Sequence, residues 1–420
     1  MIPILKQVRP HRVPSMAVIT DQLLGAMLVD DPYPFYARLR NEAPVWQAPG
    51  TEAFFVSTWG LVAEAVSRVE DFSNHFRHTL YSKDDGSLGV MASQAGPDVF
   101  AGADPPVHTE HRRLFFPELV QKKMQQLEGY VADLADDVLD ALLSDSHADA
   151  AAQLANPLPV QVMAERVIGF RDVDVAQTQG WVFAGSRFAG GLLRLDEMAT
   201  VGADAAGLFP WVSDQLDEAL SAPSGGDVLS ATAAGVRDGV LARDDAAFNL
   251  MILLGAGAET TTALIGNAIR ALAERSELQS QLRADPARVP AFVEEVLRFE
   301  SPFRFHPRSV PHDTQLGDVS IPEGAMVLLL WGSANRDPSV FDEPDRFLLG
   351  RPSARLHVGF GRGIHYCVGA PLARLEARVV LDRLLARTKH LALDGASPPR
   401  WVESLWVRRH AQLPIVVEAA

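Results

Sequence analysis

The residue with the widest chemical reach in this chain is Cys367, its single cysteine. It stands in the run Phe360-Gly361-Arg362-Gly363-Ile364-His365-Tyr366-Cys367-Val368-Gly369. The glycines ahead of it allow turns and let backbone approach a flat ligand, because they carry no Cβ. A helix is expected just beyond, with Pro371 tolerated in its first turn and Leu372, Leu375 and Val379 on its buried face. The sulfur would then lie at a helix N-terminus, where free amides and the positive end of the dipole stabilise a thiolate. A small buried thiol is the plainer reading of a lone cysteine, and the glycine frame weighs against it without naming a ligand. One cysteine excludes an internal disulfide, a multi-cysteine zinc site and an all-cysteine iron–sulfur site.

Two further groups of residues could do chemistry. In Ala256-Gly257-Ala258-Glu259-Thr260-Thr261, residues Gly257, Thr260, Thr261 and Leu264 fall on one helical face. Gly257 leaves room beside that face, and the Thr260 hydroxyl can loosen the helix by bonding a preceding carbonyl. Alone, the motif also reads as a packing glycine with a polar kink. Glu295 and Arg298 are spaced as a helical ion pair, which when exposed contributes only ~0.2–0.5 kcal/mol.

These residues need a scaffold, and the scaffold reads as helical. Leu127, Val131, Leu134, Val138 and Leu142 recur at three- and four-residue intervals. Strand-like pieces are few and short: Ala53–Ser57, Met326–Leu330 and Leu413–Val417. The stretch Phe248–Ile269 is long and apolar enough for a membrane span, but Asn249, Glu259 and three consecutive threonines inside it favour a buried helix of a soluble protein. Thr79–Asp104 reads as a long loop able to cover a pocket, Asp337–Phe360 as a meandering coil, and Ser221–Gly226 as a short loop. The expected fold class is mainly α with small β-sheets.

Composition sets the outer bounds. The 420 residues are enough for two or three average domains, and 47% hydrophobic residues provide ample core. With 38 Lys+Arg against 53 Asp+Glu, the net charge of −15 argues against a nucleic-acid partner. The apolar run within Met1–Arg12 is too short for a signal peptide, so a cytoplasmic location without a membrane is expected.

The run around Cys367 resembles the cysteine-ligand loop of the cytochrome P450 family. Ala256–Thr261 resembles that family's oxygen-groove motif, and Glu295-Val296-Leu297-Arg298 its Glu-x-x-Arg. Asp104–Arg113 is similar to the bacterial haem-edge motif, and Asn335–Phe347 to soluble bacterial members. These matches occur in order along nearly the whole chain, which implies one P450 domain over residues 1–420 with an N-terminal tail of about 1–20.

The resemblance implies haem b held between a long central oxygen-groove helix and the Cys367 loop, with Cys367 as axial thiolate. Thiolate donation raises electron density on iron and favours O–O cleavage. Phe360 and Gly369 would frame the sulfur, Ala256 and Gly257 the opposite face, and His108, Arg112, Arg308 and His365 the propionates. Thr260 would hydrogen-bond dioxygen and Glu259 relay protons, although many members carry Asp at the latter position. Glu295 and Arg298 would be buried and completed by Arg346. The expected substrate is apolar or amphipathic, with walls from Met91, the segment Phe183–Leu195, Leu253–Ala256 and Phe303–Phe305. Arg304 is a candidate partner for a substrate carboxylate, a propionate contact or a solvent-exposed group. Arg113, Lys122, Lys123 and Arg362 would form a basic face for an acidic ferredoxin, itself supplied by a ferredoxin reductase. The expected reaction is insertion of one atom of O2; a peroxide-dependent enzyme and a non-catalytic haem or ligand-binding protein are the alternatives.

Overall fold

The computed structural model describes residues 26–75, 77–92, 99–144, 146–221 and 225–420. The expected tail of about 1–20 lies outside the described residues, as do 93–98 and 222–224 of two expected loops.

The element that organises the molecule is the helix Arg243–Ala273. Asp244 and Asp245 in its first turn and Arg270 in its last complement the helix dipole. Nearly every side chain from Ala258 to Leu272 is buried, so the helix is apolar all round because it is surrounded by protein. Among the described residues it alone is long and apolar enough to cross a membrane, yet 61% of its most apolar window is buried inside the fold.

The helix Ala370–Arg387 packs against it, with Pro371 in the first turn and Leu372, Leu375 and Val379 buried as the spacing predicts. The expected periodic helix is Glu128–Leu142, preceded by Leu127, and it packs along Ala370–Arg387. Val289–Phe299 closes the same core and carries the Glu-x-x-Arg residues, with both side chains completely buried.

The sheets are small and peripheral. Val45–Gln47, Ala53–Val56, Met326–Leu329 and His306–Ser309 form a four-stranded sheet in that order. Ala53–Val56 runs parallel to Met326–Leu329, with Phe54 opposite Val327, and both strands are buried on both faces. Thr388–Leu393, Pro414–Ala419 and His147–Asp149 form a second sheet. All three expected strands are therefore present, within a residue or two of their expected bounds.

Thr79–Asp104 is not the aperiodic loop its glycines suggest. His78–Ser82 and Leu88–Ala92 pair antiparallel as a hairpin, with Leu80 opposite Val90. Gly86 at φ +76° turns the connection, so that glycine served a hairpin rather than a loop. Asp337–Phe360 is irregular as expected, interrupted only by the short 3-10 turn Ala354–Leu356.

Candidate active site around Cys367

Cys367 sits between a short 3-10 turn, Gly363–His365, and the helix beginning at Ala370. Gly361 and Gly363 hold φ of +68° and +67°, left-handed geometry that glycine adopts without strain. The loop closes on itself through Cys367 N–H donating to Phe360 O at 3.0 Å. Burial pushes the Cys367 thiol up, while the Gly369 and Ala370 amides and the charges of Arg374 and Arg112 pull it back toward thiolate. A thiolate here would be stabilised further by binding a metal.

The sulfur floors a cavity of about 1340 Å³, counting its open mouth. The opposite wall is the central helix, which presents Gly257, Thr260, Thr261 and Leu264, the face predicted from their spacing, together with Leu253 and Ala256. Thr260 Oγ1 donates to Ala256 O at 2.7 Å, so its lone pairs remain available toward the cavity. Gly257 does not leave empty room as expected: a Cβ there would fall 2.6 Å from Met163 Sδ, so the missing side chain accommodates Met163.

One edge of the cavity is crowded with nitrogen. His108 and His365 lie with ring centroids 4.1 Å apart, Arg112 donates to Tyr366 O at 2.9 Å, and Arg308 is buried with a bond to the Pro307 carbonyl. Both ring nitrogens of His108 and Nε2 of His365 are buried without a hydrogen-bond partner. Burial and neighbouring positive groups push His365 down to about 2, and burial pushes Arg308 down to about 10. Buried polar groups without partners are costly, and with the Arg112 and Arg308 cations beside them they favour a bound anion. A flat tetrapyrrole carrying two carboxylates, with a metal accepting one thiolate, fits this cavity on both counts.

Glu259, on the same helix as Thr260, does not face this cavity. Its carboxyl is buried, accepts from Arg409 Nε at 3.0 Å, and borders a second cleft lined also by Phe183, Ser186, Arg187 and Trp401. Burial pushes its pKa up, opposed by the Arg409 charge and by hydrogen bonding with Ser186 and Arg409. The Arg409 guanidinium lies 3.7 Å from the Phe183 ring centroid. The central helix thus presents Thr260 to the Cys367 cavity and Glu259 to the second cleft.

Several expectations need correction. The arginine that completes Glu295–Arg298 is Arg351: Arg298 Nε and Nη2 donate to Glu295 at 2.8 and 2.7 Å, and Arg351 Nε at 3.1 Å. Arg346 contributes only its backbone carbonyl, which accepts from Arg298 and Arg351, while its guanidinium is exposed and pairs with Glu343. Arg304 is buried and donates to the carbonyls of Leu28 and Val29, which leaves no fork for a substrate carboxylate or a propionate. Phe305 packs in the core beside Tyr36 and Leu328 rather than in the cavity. Phe183 faces the second cleft, and Met91 packs with Leu193 and Met198. Of the six expected pocket residues, Leu253 and Phe303 line the Cys367 cavity.

On the cysteine side of the molecule Arg113, Lys122 and Arg362 are exposed, and Arg362 lies over Trp59 at 4.8 Å. Lys123 pairs with Glu118, which reduces its share of that face. Sequence reasoning missed Arg351, Arg409 and Asn74, whose Nδ2 lies 3.4 Å from His365 Nδ1. Arg409 is 150 residues from its partner, and no local pattern marks it.

Comparison with known proteins agrees with this geometry. The family model described as Cytochrome P450 matches residues 218–412. Cytochrome P450 144 of Mycobacterium tuberculosis is 37% identical over 410 residues, covering 96% of this chain and 93% of its own. Cytochrome P450 monooxygenase PikC of Streptomyces venezuelae is 33% identical, covering 93% and 92%. The structure of CYP109E1 from Bacillus megaterium in complex with testosterone superposes with a TM-score of 0.82 at 27% identity, covering 92% and 97%.

Proposed function

This chain belongs to the cytochrome P450 family of haem-b monooxygenases, and from that premise we propose that it inserts one atom of O2 into an apolar or amphipathic small molecule. Electrons come from NAD(P)H through a reductase and a ferredoxin. The balanced reaction consumes substrate, O2, two electrons and two protons, and yields hydroxylated substrate and water. Residues 1–420 act as one catalytic domain in the cytoplasm. The observation that carries the reading is Cys367 at the floor of a cavity whose edge holds unpartnered buried imidazoles and whose far wall presents Thr260.

Bound haem supplies the reductive activation of O2, and a thiolate ligand favours O–O cleavage. Cys367 would hold the haem iron through its sulfur, tuned by the amides of Gly369 and Ala370. His108, Arg112, Arg308 and His365 would hold the two carboxylates, which would give partners to the imidazole nitrogens of His108 and His365 that otherwise lack them. Thr260 holds a proton at Oγ1 beside the cavity, and its bond to Ala256 O orients the hydroxyl. Glu259 collects protons on the second-cleft side and passes them by side-chain rotation toward Thr260. Leu253, Phe303, Phe100 and Leu119 exclude water and favour an apolar substrate. Arg113, Lys122 and Arg362 steer an acidic ferredoxin, an attraction that weakens with salt.

The test is the spectrum of the reduced carbonyl complex. A strongly red-shifted Soret band supports Cys367 ligation, and an imidazole-like band overturns it. A spectral ligand screen that starts from testosterone, the ligand of the Bacillus megaterium relative, then tests the substrate class. Product formed with peroxide but none with O2, reductase and ferredoxin would overturn the electron route.

A further inference from the structure

A chain of polar contacts reaches the two residues that bracket the Cys367 loop, Phe360 and Tyr366. Arg374, on the helix that follows the cysteine, donates from Nε to Glu294 Oε1 at 2.6 Å and from Nη2 to Oε2 at 3.1 Å. Such a two-point fork fixes the plane of a guanidinium as well as its position. Glu294 is buried and held in turn by His357, whose Nε2 lies 3.2 Å from Oε2. The Gly359 amide donates to His357 Nδ1 at 3.0 Å, which leaves the ring proton on Nε2, aimed at Glu294. Arg374 is thereby pinned with its central carbon 4.5 Å from the centroid of Phe360 and Nη1 3.4 Å from the Tyr366 hydroxyl. Phe360 and Tyr366 are the two ends of the loop that closes on Cys367. A permanent charge is therefore held against the ring of Phe360, whose carbonyl receives the Cys367 amide. Neither the ligation of the metal nor the movement of protons requires it.

Resting on the haem-thiolate reading, we infer that Arg374, fixed by Glu294 and His357, is a positioning residue that sets the reduction potential of the Cys367-bound haem. Adding one electron makes the site more negative by one charge, and a fixed cation nearby favours the reduced form. Glu294 offsets part of that charge, which limits the effect. The device matters for turnover because each electron must pass from a donor to this site at workable driving force.

The experiment is a spectroelectrochemical titration of the haem-loaded protein, alongside its reduced carbonyl spectrum. Arg374→Gln should lower the midpoint potential by the equivalent of a three- to tenfold change in the one-electron equilibrium, about 28 to 59 mV. Arg374→Lys, which keeps the charge, should recover most of the shift. Arg288→Gln removes a charge that bonds Gln281 on the surface and should leave the potential unchanged. If Arg374→Gln fails to hold haem because Glu294 is left unpaired, the double variant Glu294→Gln/Arg374→Gln avoids that stranded charge, and a fall of the same sign is expected. An unchanged potential in whichever neutral variant holds haem, or a lysine variant as low as the glutamine one, overturns the inference. A wild-type carbonyl band of imidazole type would instead overturn the haem-thiolate reading itself, and the two failures are separate readings.

Discussion

Two buried glutamate–arginine pairs are carried by helices that line the cavity, and they do different work. Glu295 receives Arg298 twice, Arg351, and the Leu348 amide at 2.9 Å, while Arg298 also donates to the carbonyls of Asn335 and Pro344. Both carboxylate oxygens are saturated from several directions, so the pair clamps the irregular stretch Asp337–Phe360 onto the helix Val289–Phe299. Glu259 has a single arginine, Arg409, hydrogen bonding with Ser186, and a cleft beside it. The residue types are the same, yet the number of donors differs. A carboxylate gripped by two arginines and a backbone amide is fixed in place, whereas one with fewer donors, a raised pKa and a cleft beside it has room to turn.

The largest effect should come from breaking the saturated pair. Arg351→Ala leaves Glu295 short of a buried partner, and loss of one member of such a pair costs about 3–5 kcal/mol. The expected outcome is little soluble protein and a low haem-to-protein ratio, read by absorbance and thermal unfolding. Near-normal haem content would mean that Arg298 alone sustains the clamp.

Glu259→Gln should do the reverse, leaving folding and haem content intact while turnover falls by roughly 100-fold, the lower end of what general acid–base groups contribute. Product formation with the reductase and ferredoxin present measures it. A variant with wild-type turnover would remove Glu259 from proton delivery.

Arg409→Gln tests the same pair more gently. The Arg409 charge lowers the Glu259 pKa, so its removal should push that pKa further up. The limb of the pH–rate profile that depends on ionised Glu259 should then move to higher pH. A limb that stays in place would show that Arg409 does not control this group.

The smallest effect is expected at Arg346→Ala. Its exposed guanidinium pairs with Glu343, and exposed pairs contribute about 0–1 kcal/mol. Haem content and melting temperature should match wild type. A collapse like that of Arg351→Ala would reverse the assignment of the two arginines.

Much of this site could be read along the chain because the residues involved are local. The Cys367 loop, the Gly257–Leu264 face and the Glu295–Arg298 pair each lie within ten residues, where helix and turn geometry dictate proximity. What could not be read depends on contacts across distant segments. Arg304 looks polar and available in sequence, but Leu28 and Val29, some 275 residues earlier, supply the carbonyls that absorb it. Arg346 and Arg351 are equally cationic, and only the path of the irregular stretch decides which side chain turns inward.

Local order alone therefore determined the helical class, the cysteine loop at a helix start and the helical face that carries Thr260. Backbone periodicity and the freedom of glycine act over a few residues and leave a trace in the chain. Tertiary structure decided which arginine completes each buried acid, which way Glu259 faces and which apolar side chains reach the cavity. The reason is physical: a buried charge must find its partner wherever packing brings one, and packing is not a property of neighbouring residues in sequence.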